Sequence, residues 1–154
     1  MKTQLRALII SLSFAAGTAL AAGDPGGGLQ KSDPVMDRYQ AASQKQDWAG
    51  AQGALQDGLK ASPNNADYHN LLAYSIRKGA NPDMSLVFKH YNEALRIDSR
   101  HKGAHEYLGE AYLMVGNVAK AKEELSALDK LCFFGCSEYN DLKKAISEHE
   151  AKAK

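Results

Sequence analysis

The chain has 154 residues, and its 19 Lys and Arg side chains nearly balance 18 Asp and Glu side chains. This length suits a single domain. The near-neutral charge gives no electrostatic sign of a surface for nucleic acid or for an anionic membrane, so we expect neither as a partner.

The first 21 residues have the pattern of a secretory signal peptide. Lys2 and Arg6 precede a short apolar run at residues 8–14, and Ala-Leu-Ala at 19–21 matches a small-residue cleavage site. The apolar run is too short to cross about 30 Å of hydrocarbon comfortably. The sequence therefore predicts export to the periplasm or the outside, with cleavage after Ala21 or Ala22 and no stable membrane insertion afterwards.

Residues 22–32 are predicted to form a disordered leader. Their Gly-rich stretch lacks the apolar side chains that could offset the entropy of ordering it. The stretch follows no predicted strand, so we do not interpret it as a phosphate-binding loop. Loss of residues 1–21 would leave 133 residues and, because only Lys2 and Arg6 are removed, 17 basic against 18 acidic side chains, a formal charge of −1.

Seven helices and no strand are expected in the rest of the chain. Asp33-Pro34 is a typical helix start, because an N-cap residue is followed by Pro in the first turn. Apolar periodicity and turn residues predict the other helices at about 47–61 and 66–78, from 81–83 onward, as a pair within 102–131, and from Ser137 as an N-cap.

A helix-pair signature is clearest in the fifth and sixth predicted helices. It reads His105-x2-Leu108-Gly109-x2-Tyr112, then a Gly-Asn turn, then Ala121. Leu108 and Tyr112 share one helix face, since residues four apart are neighbours there. Gly109 and Ala121 are small enough to let a second helix approach closely.

Weaker copies of the signature occur upstream. The positions that we expect to pack in these copies are Trp48 and Ala51 in the first, and Leu72, Ala73, Tyr91 and Ala94 in the second. This pattern resembles that of the tetratricopeptide repeat (TPR) family, W-x2-L-G-x2-Y followed by A-x3-F, with His at the Trp position. The resemblance extends over residues 33–131.

The TPR resemblance implies an all-α solenoid of about three helix pairs and a C-terminal capping helix. The pairs would be residues 33–65, 66–101 and 102–131, and residues 132–154 would form a turn and the cap. TPR arrays bind partners in a concave groove lined by the first helix of each pair. The resemblance therefore implies a non-catalytic adaptor that binds a peptide or protein and needs no cofactor.

Side chains off the packing stripe of those first helices are the candidate partner-binding residues. They are Asn70, Tyr74 and Arg77 in the middle unit and Glu106, Glu110 and Met114 in the last. Tyr and Arg are frequent binding anchors, and Met adapts to irregular partners. The Asn and Lys set with which chaperone-binding TPR domains hold a terminal carboxylate is not matched, so that ligand class is not carried over.

Cys132 and Cys136 are the two cysteines of the chain. In an exported protein a close pair favours a disulfide, and Gly135 can adopt the positive φ that a turn between them needs. Free thiols and a metal or redox site remain alternatives, although C-x3-C is not the C-x-x-C of redox motifs.

The histidines support the second reading of function, a metal- or redox-linked periplasmic accessory protein. His101 and His105 are four residues apart, a spacing that can chelate a metal on a helix. Both His105 and His69 also occupy the Trp position of the repeat, where packing explains them. No nucleophile motif or catalytic metal motif is present, so we expect no catalytic site and predict no metal ligand.

Overall fold

The computed structural model describes residues 33–153, which form seven helices and, within that range, no strand. The signal peptide and the leader predicted at residues 1–32 lie outside the described residues. The helices are α1 (Pro34–Gln44), α2 (Trp48–Ala61), α3 (Ala66–Lys78), α4 (Met84–Ile97), α5 (Lys102–Met114), α6 (Val118–Leu131) and α7 (Ser137–Lys152). No helix in this range is long and apolar enough to span a membrane.

Local capping explains most helix starts. Asp33 accepts hydrogen bonds from the amides of Val35 and Met36 at 2.9 and 3.2 Å, with Pro34 in the first turn as expected. Side chains of Asp47, Asn65, Asp83, His101 and Asn117 cap the next five helices in the same way. Each cap satisfies amides that have no partner inside the helix.

The start of α7 differs from the prediction by one residue. Ser137 was expected as the N-cap, but it is the first helical residue, and its hydroxyl bonds to Glu138. Cys136 holds the N-cap position in extended conformation and makes no side-chain cap hydrogen bond. Its sulfur is committed to the disulfide with Cys132, so the turn, and not a local cap, determines where the helix begins.

The helices pack as three antiparallel pairs, α1–α2, α3–α4 and α5–α6, and α7 packs against α5 and α6. One buried cluster joins α1 to α5 around Tyr39, Leu55, Leu72 and Tyr91. A second cluster holds the cap, with Leu128 of α6 against Leu142 and Ile146 of α7. The predicted architecture of three helix pairs and a capping helix is confirmed.

The structure buries most of the residues that the repeat signature assigns to packing. Ala51, Leu72, Ala73, Tyr91, Ala94, Leu108, Gly109 and Ala121 are buried, and Trp48 and Tyr112 are half-buried. Gly109 faces the capping helix: a Cβ at this position would lie 2.6 Å from both methyl carbons of Leu142. The absence of a side chain at Gly109 is therefore what lets α7 lie this close to α5.

Candidate functional site

The first helices of the second and third pairs lie side by side with a constant register. Tyr74 and Tyr107 have ring centroids 5.0 Å apart, and Arg77 donates to Glu110. A Cβ on Gly103 would lie 3.5 Å from the Asn70 amide nitrogen. All three contacts join residues 33 positions apart, so α3 and α5 run parallel. We call the surface that carries Tyr74, Arg77, Tyr107 and Glu110 the inner face.

Arg77 is the centre of the inner face. Its Nη2 donates to Glu110 Oε2 at 2.7 Å, and its Nη1 lies 4.0 Å from the Met114 sulfur. The guanidinium carbon lies 5.5 Å from the ring centroid of Tyr74 and 5.7 Å from that of Tyr107, within cation–π range. Four of the six predicted partner-binding residues, Tyr74, Arg77, Glu110 and Met114, are thus brought together.

The other two predicted residues, Asn70 and Glu106, are buried instead of solvated. Asn70 is 5% exposed and its Oδ1 has no hydrogen-bond partner among the described residues. Glu106 is 9% exposed and makes no hydrogen bond or ion pair in the described part of the chain. The two occupy equivalent places, because each directly follows the His that begins a repeat signature, His69 or His105.

The electrostatic environment of Glu106 is acidic. Burial, together with the charges of Glu110, Asp141 and Glu138, raises the pKa of Glu106 to about 7, whereas Arg77 lowers it. These carboxyls come from two helices, since Glu138 and Asp141 lie in the first turns of α7.

Sequence reasoning missed Tyr107 and the acidic side chains of α7. Tyr107 contacts Tyr74 across a 33-residue register, whereas equivalent signature positions, His69 and His105, are 36 residues apart. The contact therefore joins non-equivalent positions, which a repeat alignment does not pair. Trp48, assigned only to packing, extends this surface: its ring and that of Tyr74 pack edge to face, with their centroids 5.9 Å apart.

Two clefts flank the Arg77 cluster. One, of about 270 Å³, lies between α5 and α7; the other, of about 470 Å³, lies beside Trp48. Arg77, Glu110, Leu113, Met114, Ala145, Glu148, His149 and Lys152 line the first, and Ser43, Gln44, Gln46, Trp48, Tyr74 and Lys78 line the second.

The histidines that suggested a metal site are engaged in other contacts. His101 caps α5 through Nδ1, which accepts from the Ala104 amide, and its Nε2 lies 3.0 Å from Asp67. His105 lies 2.7 Å from Glu124 and 3.1 Å from a backbone carbonyl, so the pair at i and i+4 does not converge. Within residues 33–153, no group of three or more His, Cys, Asp or Glu side chains is placed to hold a metal ion.

Cys132 and Cys136 form a disulfide with their Cα atoms 5.5 Å apart. Gly135 has φ +83°, the left-handed conformation that was expected for the turn. The loop exposes Phe133 and Phe134, whose rings contact each other edge to face at 5.1 Å. The cysteine pair is thus a structural link between α6 and α7.

No protein-family model matches the sequence, and no curated protein matches it. Among solved structures, the chain is similar to the complex of the TPR2B domain of yeast Sti1 with pHsp70, with a TM-score of 0.68. The match covers 77% of this chain and 94% of that chain at 20% sequence identity. The fold is that of a TPR domain.

Proposed function

We propose that the protein is an exported, non-catalytic adaptor whose inner face binds a peptide or a segment of a partner protein. The observation that carries this proposal is the cluster in which the Arg77 guanidinium lies 5.5 and 5.7 Å from the contacting rings of Tyr74 and Tyr107. Aromatic and Arg side chains are the residues that most often dominate binding energy at interfaces. Met114, 53% exposed at the edge of this cluster, adds a flexible apolar contact.

The two clefts beside this cluster support a partner that lies along the inner face. They continue the surface on either side of Arg77, one towards Trp48 and the other towards His149. A segment that reached both clefts would cover Tyr74 on its way, so we place the strongest contacts there. The likeness to a TPR domain solved in complex with pHsp70 is consistent with a protein partner, without naming one for this chain.

Export is the second part of the proposal. It rests on the signal-peptide pattern of residues 1–21 and is consistent with the disulfide, because such links persist in oxidising compartments. N-terminal sequencing of the protein recovered from cells tests it. A mature terminus at residue 22 or 23 supports export, and an intact Met1 in a cytoplasmic fraction contradicts it.

Site-specific photo-crosslinking tests the binding surface. A photoreactive amino acid replaces Met114 on the inner face or, as a control, the exposed Gln56 on α2. We expect one defined protein to be crosslinked from position 114 and not from position 56, and to be lost when Tyr74→Ala is added. Equal crosslinking from both positions, or capture unaffected by Tyr74→Ala, would contradict the proposal.

A further inference from the structure

Two acceptors on the α3 and α5 helices lack donors. The Oδ1 atom of Asn70 is fully buried without a partner. The carboxyl group of Glu106, which is 9% exposed, makes no hydrogen bond in the described part of the chain. A buried polar group without a partner reduces the stability of the folded chain. The Asn70 Oδ1 atom and the ionised Glu106 carboxylate are both hydrogen-bond acceptors, so a ligand that pairs with them must carry hydrogen-bond donors. Their equivalent places, after His69 and after His105, repeat this feature in consecutive repeats.

The charges around Glu106 favour a cationic donor. Its electrostatic neighbours are Glu110 on α5, Glu138 and Asp141 on α7, and Arg77 on α3. Arg77 is already bonded to Glu110 at 2.7 Å and is the single cation among these neighbours. Four carboxyl groups therefore share one guanidinium, and a second positive charge would relieve their repulsion.

Two aromatic side chains of the inner face already bind a group of this kind. Tyr107 is the next residue on α5, and its ring, with that of Tyr74, holds the Arg77 guanidinium within 5.7 Å. Cation–π attraction to a Tyr ring strengthens as the cation is desolvated. Arg77 is thus an example, within the chain, of the head group that the surface accommodates.

We propose that the partner of the adaptor places a lysine or arginine side chain beside Glu106, where α5 faces the first turns of α7, and that its cationic head group binds the Glu106 carboxylate. This inference rests on the proposed function and specifies the chemistry of the partner. A cation binds the ionised form of Glu106, so that binding lowers the pKa of Glu106 from about 7 and strengthens as the pH rises from 6 to 8. A neutral donor that hydrogen-bonds the carboxylate would shift this pKa in the same direction but by less, because it brings no positive charge.

The test uses the full-length chain and two probes of nearly the same shape, N-acetylargininamide and its uncharged citrulline counterpart. The pKa of Glu106 is followed by NMR of its side-chain carboxyl carbon as each probe is added. We expect the arginine probe to lower the pKa of Glu106 by about one unit or more, which corresponds to about tenfold tighter binding to the ionised form. The citrulline probe, which can donate hydrogen bonds but carries no charge, should lower this pKa much less.

Two variants locate the effect. In the native chain, the arginine probe should change the chemical shifts of Tyr107 more than the citrulline probe does. Glu106→Gln should abolish this difference between the two probes. Glu123→Gln, which removes an exposed carboxylate of α6, should preserve it. Equal effects of the two probes, or an unchanged pKa of Glu106 up to the solubility limit of the arginine probe, would overturn the cation site. The adaptor function is decided separately by crosslinking from position 114, which does not depend on the charge of the partner.

Discussion

Gly109→Ala tests whether the capping helix depends on close approach to α5. A Cβ at this position would lie 2.6 Å from Cδ1 and from Cδ2 of Leu142, which is fully buried. Carbon atoms normally approach to about 3.5–4.0 Å, so that Leu142 or α7 has to move by roughly 1 Å. Overpacking of this kind costs about 1–3 kcal/mol.

A matched control separates this cost from helix propensity. Replacing Gly by Ala in a helix interior gains up to about 1 kcal/mol. Gly53 on α2 is the control, because nothing lies within 4 Å of a Cβ built there. We therefore expect Gly53→Ala to stabilise the protein and Gly109→Ala to be about 1–3 kcal/mol less stable than Gly53→Ala, since the propensity gain is common to both.

Urea unfolding followed by circular dichroism measures this difference. The larger Gly109→Leu should cost more than about 2 kcal/mol relative to the native chain. Adding Leu142→Ala to Gly109→Ala should cost less than the sum of the single changes, because the Ala at position 142 gives the new methyl group room. Equal stabilisation by Gly53→Ala and Gly109→Ala would refute the close-approach argument.

Two further predictions concern the cap and a buried histidine. Reduction of the Cys132–Cys136 disulfide opens a closed loop of five residues, whose closure is worth about 2 kcal/mol. Hydrogen exchange at residues 137–150 should therefore accelerate, while α1–α4 stay protected. Unchanged exchange in α7 would contradict this prediction. Glu124→Gln should destabilise the protein by about 1–3 kcal/mol at pH 6 and by much less at pH 9. Both ring nitrogens of His105 face acceptors, so only the imidazolium donates to both. Burial lowers the pKa of His105, but Glu124 and the Ser99 carbonyl together raise it above its ordinary value, so that the pKa is higher in the folded chain than in the unfolded chain. The stabilisation by the His105–Glu124 ion pair is therefore complete below the unfolded-state pKa and disappears as the pH rises through the folded-state pKa. Urea midpoints measured at the two pH values check it, and an equal loss at both would count against the ion pair.

The helices could be predicted from the sequence because their starts depend on local chemistry. Asp33, Asn65 and Asn117 each accept from amides two or three residues ahead, and the sequence alone contains that information. The start of α7 could not be placed in this way. Cys136 is held by a bond to Cys132, so a link outside the helix replaces the cap that Ser137 appeared to offer.

The candidate site could be predicted only within each helix. Tyr74 and Arg77 on α3, and Glu110 on α5, follow from helical spacing alone. The partner of Tyr74 could not be predicted, because Tyr107 meets it through a register that depends on how two helices pack. The burial of Glu106 likewise depends on how α7 covers α5, which the repeat signature does not specify.

The capping helix contributes more to the candidate site than covering an apolar surface requires. A cap needs an apolar inner side, which Leu142 and Ile146 provide, and a polar outer side. Glu138 and Asp141 belong to the polar side of α7, and their charges also raise the pKa of the buried Glu106. Like charges gathered around a buried carboxyl group reduce the stability of the folded chain, and such local conflicts concentrate at functional sites. The burial of Glu106 without a hydrogen-bond partner beside these charges is the reason for placing the cation of the partner there.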